Sequence, residues 1–120
     1  MLVIDTANVL GSRPSGWWRD RAAATKQLVE RVRVEAAAGR LTAPIVMVLE
    51  GAARRGVEEG VAYGVEVVHA PGAGDDTLTE LVAGVTEHVI FVSADRGLRD
   101  RVRRPGVKLV GPNWLLDQLD

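Results

Sequence analysis

Four stretches of this sequence place acidic side chains where apolar runs stop. "MLVID" ends in Asp5, "PIVMVLE" in Glu50 and "HVIFVSAD" in Asp95, while "PGAGDDTL" sets Asp75 and Asp76 side by side just after the apolar run "VEVVHA". Carboxylates held 4–6 Å apart raise one another's pKa and destabilise a fold unless something neutralises them. A hard divalent cation bound through oxygen is the natural neutraliser. The glycine-rich turn before Asp75 would suit a phosphate, yet two acids would repel it; a bound cation reverses the sign of such a site. One or two cations between carboxylates and a phosphate stabilise both nucleophile and leaving group of an in-line displacement, so the chemistry indicated is phosphodiester hydrolysis. Asn8, three residues after Asp5, could order a water or a phosphate oxygen beside the ion. Helix capping is the competing explanation for Asp75 or Asp95 taken alone. Thr77 and Glu80 even form a T-x-x-E capping box that needs neither aspartate. Capping does not explain an acid ending the strand-like "MLVID", nor two adjacent acids.

Groups that could meet a nucleic acid lie near these acids. Trp17 and Arg13, around the loop "GSRPSG" behind Asp5, could stack a base and contact a phosphate. Arg54 and Arg55, just after Glu50, are better phosphate candidates than the arginines at 99–104, which sit along a helix. Trp18 reads as core, and Trp17 either as a stacking residue or as cover for a sheet edge. His69 and His88 flank strand ends without a partner motif and read as ordinary surface or strand-edge residues.

The elements that must position these groups follow from periodicity. Apolar runs at 1–5, 44–50, 65–70, 88–95 and 106–111 are continuous rather than alternating, as in strands buried on both faces. Between them, residues 17–38 carry apolar residues at three- and four-residue steps, Asp75–Glu87 does the same, 96–103 looks helical, and Pro112 opens a short helix over 112–119. Alternating strands and helices predict a three-layer α/β/α sandwich on a parallel sheet of about five strands, in one domain over residues 1–120. In open parallel sheets ligands sit outside the carboxyl ends of the strands, which is where all these acids fall.

Composition narrows the classes further. The 120 residues, 47% hydrophobic and 26% charged, suit one globular core. There is no cysteine, which excludes thiolate zinc sites, disulfide scaffolds and a cysteine nucleophile. A net charge of −1 argues against binding nucleic acid by bulk charge, although 13 of the 15 basic residues are arginine, the better phosphate fork. With no apolar run of membrane length and no basic leader before an apolar core, the expected location is the cytoplasm, with no membrane contact.

"VIDTANVLG" (3–11), "GAGDDTLTELV" (72–82) and "VSADRGL" (92–98) together resemble, in order, the signature segments of the PIN-like nucleases, and within them the NYN branch. The resemblance implies a Rossmann-like PIN fold and a ribonuclease in which carboxylates bind Mg²⁺ or Mn²⁺. Carried over, Asp5, Asp75, Asp76 and Asp95 would be the metal ligands and catalytic residues, with Asn8 as an auxiliary group. Asp75 is the first choice for direct ligand, with Asp76 second or acting through water. Many such domains carry a further acid after the second strand or after the last signature aspartate. Glu50 and Asp100 are the nearest candidates here, and their roles stay open. So do RNA versus DNA, endo- versus exonuclease action, a homodimer and any protein partner. A haloacid-dehalogenase phosphatase fails because Ala7 stands where its second aspartate is needed, and no P-loop is present. "VGPNWLLDQL" (110–119) resembles the closing helix of a BRCT phosphopeptide-binding module, which would not account for the acids. The remaining alternative is a non-catalytic nucleic-acid-binding relative of the nucleases.

Overall fold

The structure, a computed structural model, describes residues 1–14 and 16–120. Its centre is one six-stranded sheet of β1 (Leu2–Asp5), β2 (Ile45–Leu49), β3 (Gly60–Ala62), β4 (Val65–His69), β5 (Val89–Val92) and β6 (Val107–Val110). The order is β3-β4-β2-β1-β5-β6. β1, β2, β4, β5 and β6 run parallel, the five strands expected, and β3 adds an antiparallel edge to β4. The β3–β4 hairpin turns on Tyr63 (φ 55°) and Gly64 (φ 77°), the two positive φ values that a type I′ turn requires. Tyrosine is not a turn residue, and three-residue β3 carries no apolar run, so nothing in the sequence marks this strand.

The parallel strands are buried on both faces, which is why they read as unbroken apolar runs. Leu2, Ile4, Ile45, Met47, Leu49, Val65 and Val67 point to one side, and Val3, Val46, Val48 and Phe91 to the other. On the first side they meet α1 (Thr6–Gly11), α2 (Arg21–Ala37) and α5 (Pro112–Leu119) through Val9, Leu28, Val29, Val32, Leu115 and Leu116. On the second they meet α3 (Gly74–Ala83) and α4 (Arg96–Val102) through Leu78, Val82, Leu98 and Val102. The result is the three-layer α/β/α sandwich.

Two helices start elsewhere than the periodicity predicts. The segment at 17–38 breaks at Asp20, whose side chain accepts the Ala23 N–H at 3.0 Å and caps α2. Trp17–Arg19 therefore form a separate 3₁₀ turn, which carries Trp18 away from the core; it is 53% exposed. α3 begins at Gly74 and ends at Ala83, four residues short of the expected end, with Gly84 as its C-cap. Thr77 consequently lies inside the helix and its capping box is not used.

The chain leaves β1 toward β2 and β4, then crosses back to place β5 on the other side of β1. The order reverses between β1 and β5, which opens a crevice beyond their carboxyl ends. No helix among the described residues is long and apolar enough to cross a membrane.

Candidate functional site

Asp5 closes β1 at this crevice and is only 6% exposed. Its Oδ2 accepts the Ser93 hydroxyl at 2.8 Å, and its Oδ1 accepts the Asn8 N–H at 3.4 Å. Ser93, buried just beyond β5, also accepts the Asp95 N–H at 3.1 Å. Asn8 in turn accepts the Ala94 N–H at 2.8 Å through Oδ1. These bonds stitch β1 and α1 to the β5–α4 junction, and among the described residues the Asn8 amide nitrogen has no acceptor. Arg99 braces the junction from α4 by donating through Nε to the Ser93 carbonyl.

Glu50 follows β2, and its Oε2 accepts the Gly74 N–H at 3.0 Å. α3 has no side-chain cap of its own, so a residue 24 positions upstream caps it. Gly74 permits this approach: a Cβ there would stand 3.0 Å from Glu50 Oε1. Gly74→Ala is expected to push the Glu50 carboxylate off the helix end and lower stability by about 1 kcal/mol, read from the urea midpoint.

Asp75 is the second residue of α3 and half-buried. Burial raises its pKa first; the charges of Asp95 and Glu50 add to this, and Arg101 opposes it. For Asp5, burial pushes the carboxyl from 3.8 up to about 6; the Ser93 and Asn8 hydrogen bonds lower it, and the charges of Asp75 and Glu50 raise it further. Glu50 and Asp75 thus act on Asp5, and Asp95 and Glu50 on Asp75, at one rim supplied by four separate segments. Asp95 is exposed and also caps α4, its Oδ1 accepting the Leu98 N–H at 3.0 Å.

Asp76 does not join them. Consecutive helical residues point about 100° apart, so only one of the adjacent aspartates can face the rim. Asp76 points to solvent and pairs with Arg101 at 2.8 Å. Asp100 is exposed as well, 3.5 Å from Arg103. Among the described residues, no three His, Cys, Asp or Glu side chains stand close enough together to hold an ion, so the carboxylates do not close on a single cation. The donor set still suits Mg²⁺ or Mn²⁺ by its chemistry. It is all hard oxygen, its buried member carries an elevated pKa, and such ions commonly take one or two carboxylates and keep several waters.

The expected substrate groups are placed unevenly. Arg13 pairs with Asp120 at 3.1 Å, beside Arg31 at 3.0 Å from the same carboxylate, and so is committed to the protein itself. Arg54 is committed too, its Nε donating to the Gly51 carbonyl and its Nη1 to the Ala70 carbonyl, both at 3.2 Å. It ties together the segments that follow β2 and β4. Arg55 is exposed in the turn after Glu50. Trp17 is half-buried against the end of α1 near Gly11, packed edge-on to Trp18, with the Arg21 guanidinium 5.3 Å from its ring centre. His69 is half-buried, with Nε2 2.7 Å from the Val57 carbonyl, a structural role.

Sequence reasoning overlooked Ser93, the hydroxyl that holds Asp5. The signal was a serine two residues before an acid at the end of an apolar run.

No family model matches the chain, and neither does any curated protein sequence. Its fold is similar to two crystal structures of Rae1 (YacP) from Bacillus subtilis, one of them of a point mutant. The mutant structure aligns with a TM-score of 0.73 at 14% identity over 98% of this chain and 73% of that one. The other aligns with a TM-score of 0.70 at 16% identity over 99% of this chain and 72% of that one. The likeness therefore spans the whole three-layer sandwich.

Proposed function

We propose that this chain is a cation-dependent nuclease that hydrolyses phosphodiester bonds in RNA. The observation that carries the reading is the buried Asp5 at the switch point, in the field of Glu50 and Asp75. A fold does not ordinarily keep a desolvated carboxylate beside two others without a use for the charge. Asp5 and Asp75 are the groups we assign to hold Mg²⁺ or Mn²⁺, with Glu50 and Asp95 reaching it through water; Asp76 is left out. When bound, the cation would neutralise the scissile phosphate and make a water more acidic.

The chain's own residues supply the rest. Ser93 and the Asn8 N–H fix the orientation of Asp5. The Asn8 amide nitrogen donates to a phosphate oxygen or to the attacking water. The attacking water gives up its proton to solvent as its oxygen bonds to phosphorus and the P–O ester bond breaks, and the departing sugar oxygen takes up a proton from solvent. Arg55 meets a neighbouring phosphate.

Labelled single-stranded and hairpin RNAs incubated with the protein should be cut in Mn²⁺ or Mg²⁺ and left intact with chelator. Asp75→Asn and Asp95→Asn should each slow the cut on the order of 100-fold. Cleavage that persists in chelator would refute a cation-dependent reaction. A second reading, a non-catalytic nucleic-acid-binding domain, draws on the lack of a closed three-ligand set among the described residues. RNA that binds without being cut, with every cation tried, would favour it.

A further inference from the structure

Beside the carboxylates, on the side of α1 and α5, lies an open cleft of about 550 Å³. That volume falls within the roughly 300–1,000 Å³ of sites that hold small organic groups. Asn8 and Ser12 line one wall, Ala94 the floor, and Gly111, Pro112 and Asn113 the other wall. Asn8 belongs to both places, since it also braces the Ala94 N–H next to Asp5 and Asp95.

The chemistry of this cleft differs from that of the rim it adjoins. Among the described residues, none that lines it carries a charge. It offers the Asn8 amide nitrogen, the exposed Asn113 amide, and the Ser12 oxygen, whose own proton goes to the Val9 carbonyl at 2.7 Å. The α5 end that forms one wall has no side-chain cap, and Pro112 at its start has no N–H. An uncharged cleft with donors and acceptors on facing walls is poorly suited to a phosphate and well suited to a planar polar ring with its sugar. Asparagine amides in particular read a base edge through paired hydrogen bonds.

We propose that this cleft seats the nucleobase and ribose of the nucleotide next to the scissile phosphate, with Asn113 the residue that selects the base. The proposal rests on the nuclease reading for which nucleotide it takes, but the binding can be tested without any cleavage. Gly111 supplies a steric probe. Its φ of −87° is open to any residue, and a Cβ there meets nothing within 4 Å. Gly111→Leu should therefore fold and narrow the cleft.

The test is a titration of ¹⁵N-labelled protein with AMP, CMP, GMP and UMP in Mg²⁺, followed by amide spectra. The expected result is shifts of the Asn8 and Asn113 side-chain amides and of the Ala94 and Gly111 backbone signals, larger for one base than for the rest. Gly111→Leu should abolish them at an unchanged melting temperature. Asn113→Ala should cut the preference between bases on the order of 10-fold, and it alone decides the matter if Gly111→Leu melts early. Absence of shifts at the cleft with all four nucleotides, or shifts that survive both substitutions, would overturn the proposal. Shifts at the cleft in a protein that cuts no RNA would sink the nuclease reading and leave base-selective nucleotide binding at the cleft standing. RNA cleavage whose rate and base preference ignore both substitutions would do the reverse.

Discussion

Asp5→Asn is expected to make the metal-free protein more stable at pH 7 while reducing RNA cleavage on the order of 1,000-fold. Burial lifts the Asp5 carboxyl from 3.8 to about 6, so the folded protein at pH 7 holds this group ionised against its preference. Each tenfold change in a protonation equilibrium is worth about 1.4 kcal/mol, which puts that cost near 3 kcal/mol. Asparagine has nearly the same shape and no charge. It keeps one acceptor for the Ser93 hydroxyl or the Asn8 N–H, but presents an NH₂ to the other partner, so part of the gain is lost. The net gain should be about 1–2 kcal/mol, a rise of several degrees in melting temperature for a chain of this size. The measurement is a pair of melts in chelator beside the RNA assay. Opposite signs in the two readouts are what a functional charge held at a stability cost produces. A less stable Asp5→Asn protein would mean that the carboxylate serves the fold as an anchor, and would remove the main support for the nuclease reading.

The second large effect is a reversal of the pH dependence by divalent cation. With its folded pKa above the unfolded value, Asp5 holds more proton in the folded chain between about pH 4 and pH 6. Stability of the metal-free protein therefore falls as pH rises through that window, by about 3 kcal/mol from this group, and levels off above it. Asp75 contributes with the same sign. The oppositely shifted carboxyls act lower. Glu35, held down first by its hydrogen bond to Arg40, and Asp120, held down by those to Arg31 and Arg13, lose their contribution only as pH drops below their ordinary values of 4.5 and 3.8. The stretch from about pH 5 upward thus belongs to the buried cluster. A cation that binds the ionised cluster should flatten or invert the slope. At a hundredfold excess over its dissociation constant it would add about 2.7 kcal/mol at pH 7. Urea midpoints at pH 5, 6 and 7, with Mn²⁺ and with chelator, give the answer, and Asp5→Asn should lose most of the slope and most of the cation effect, Asp75 keeping the remainder. Identical midpoints with and without cation at pH 7 would refute cation binding by Asp5.

Much of this was legible because the strands are buried on both faces. Runs such as "IVMVL" leave few other fates, and an acid ending three of the five runs falls on the ligand-bearing edge of a parallel sheet. The fate of the paired aspartates was not legible. Only the first residue of α3 decides which of Asp75 and Asp76 turns inward, and that start depends on Glu50 reaching across from β2. A capping box written locally in Thr77 and Glu80 lost to a cap supplied from 24 residues away. Trp18 was misread because its spacing matched the helical face, whereas Asp20 ends the helix before reaching it. The pairing of Arg13 and of Arg54 was not legible because a free arginine and one already paired with a carboxylate or a carbonyl look alike in sequence.

The seam between β1 and β5 also sets when the site comes into being. Asp5 and Ser93 are 88 residues apart, and Asn8 and Ala94 are 86 apart. Closing so long a loop comes at an entropic cost that only the docked sheet repays. A chain that has formed β1, β2 and β4 but not yet β5 leaves Asp5 in water, with an ordinary acidity and without the Ser93 hydrogen bond. The buried charge is thus created by the crossover from β4 to β5 rather than by the early strands. A partly folded or partly synthesised chain carries all the acids up to Asp76 and none of the environment that sets Asp5 apart.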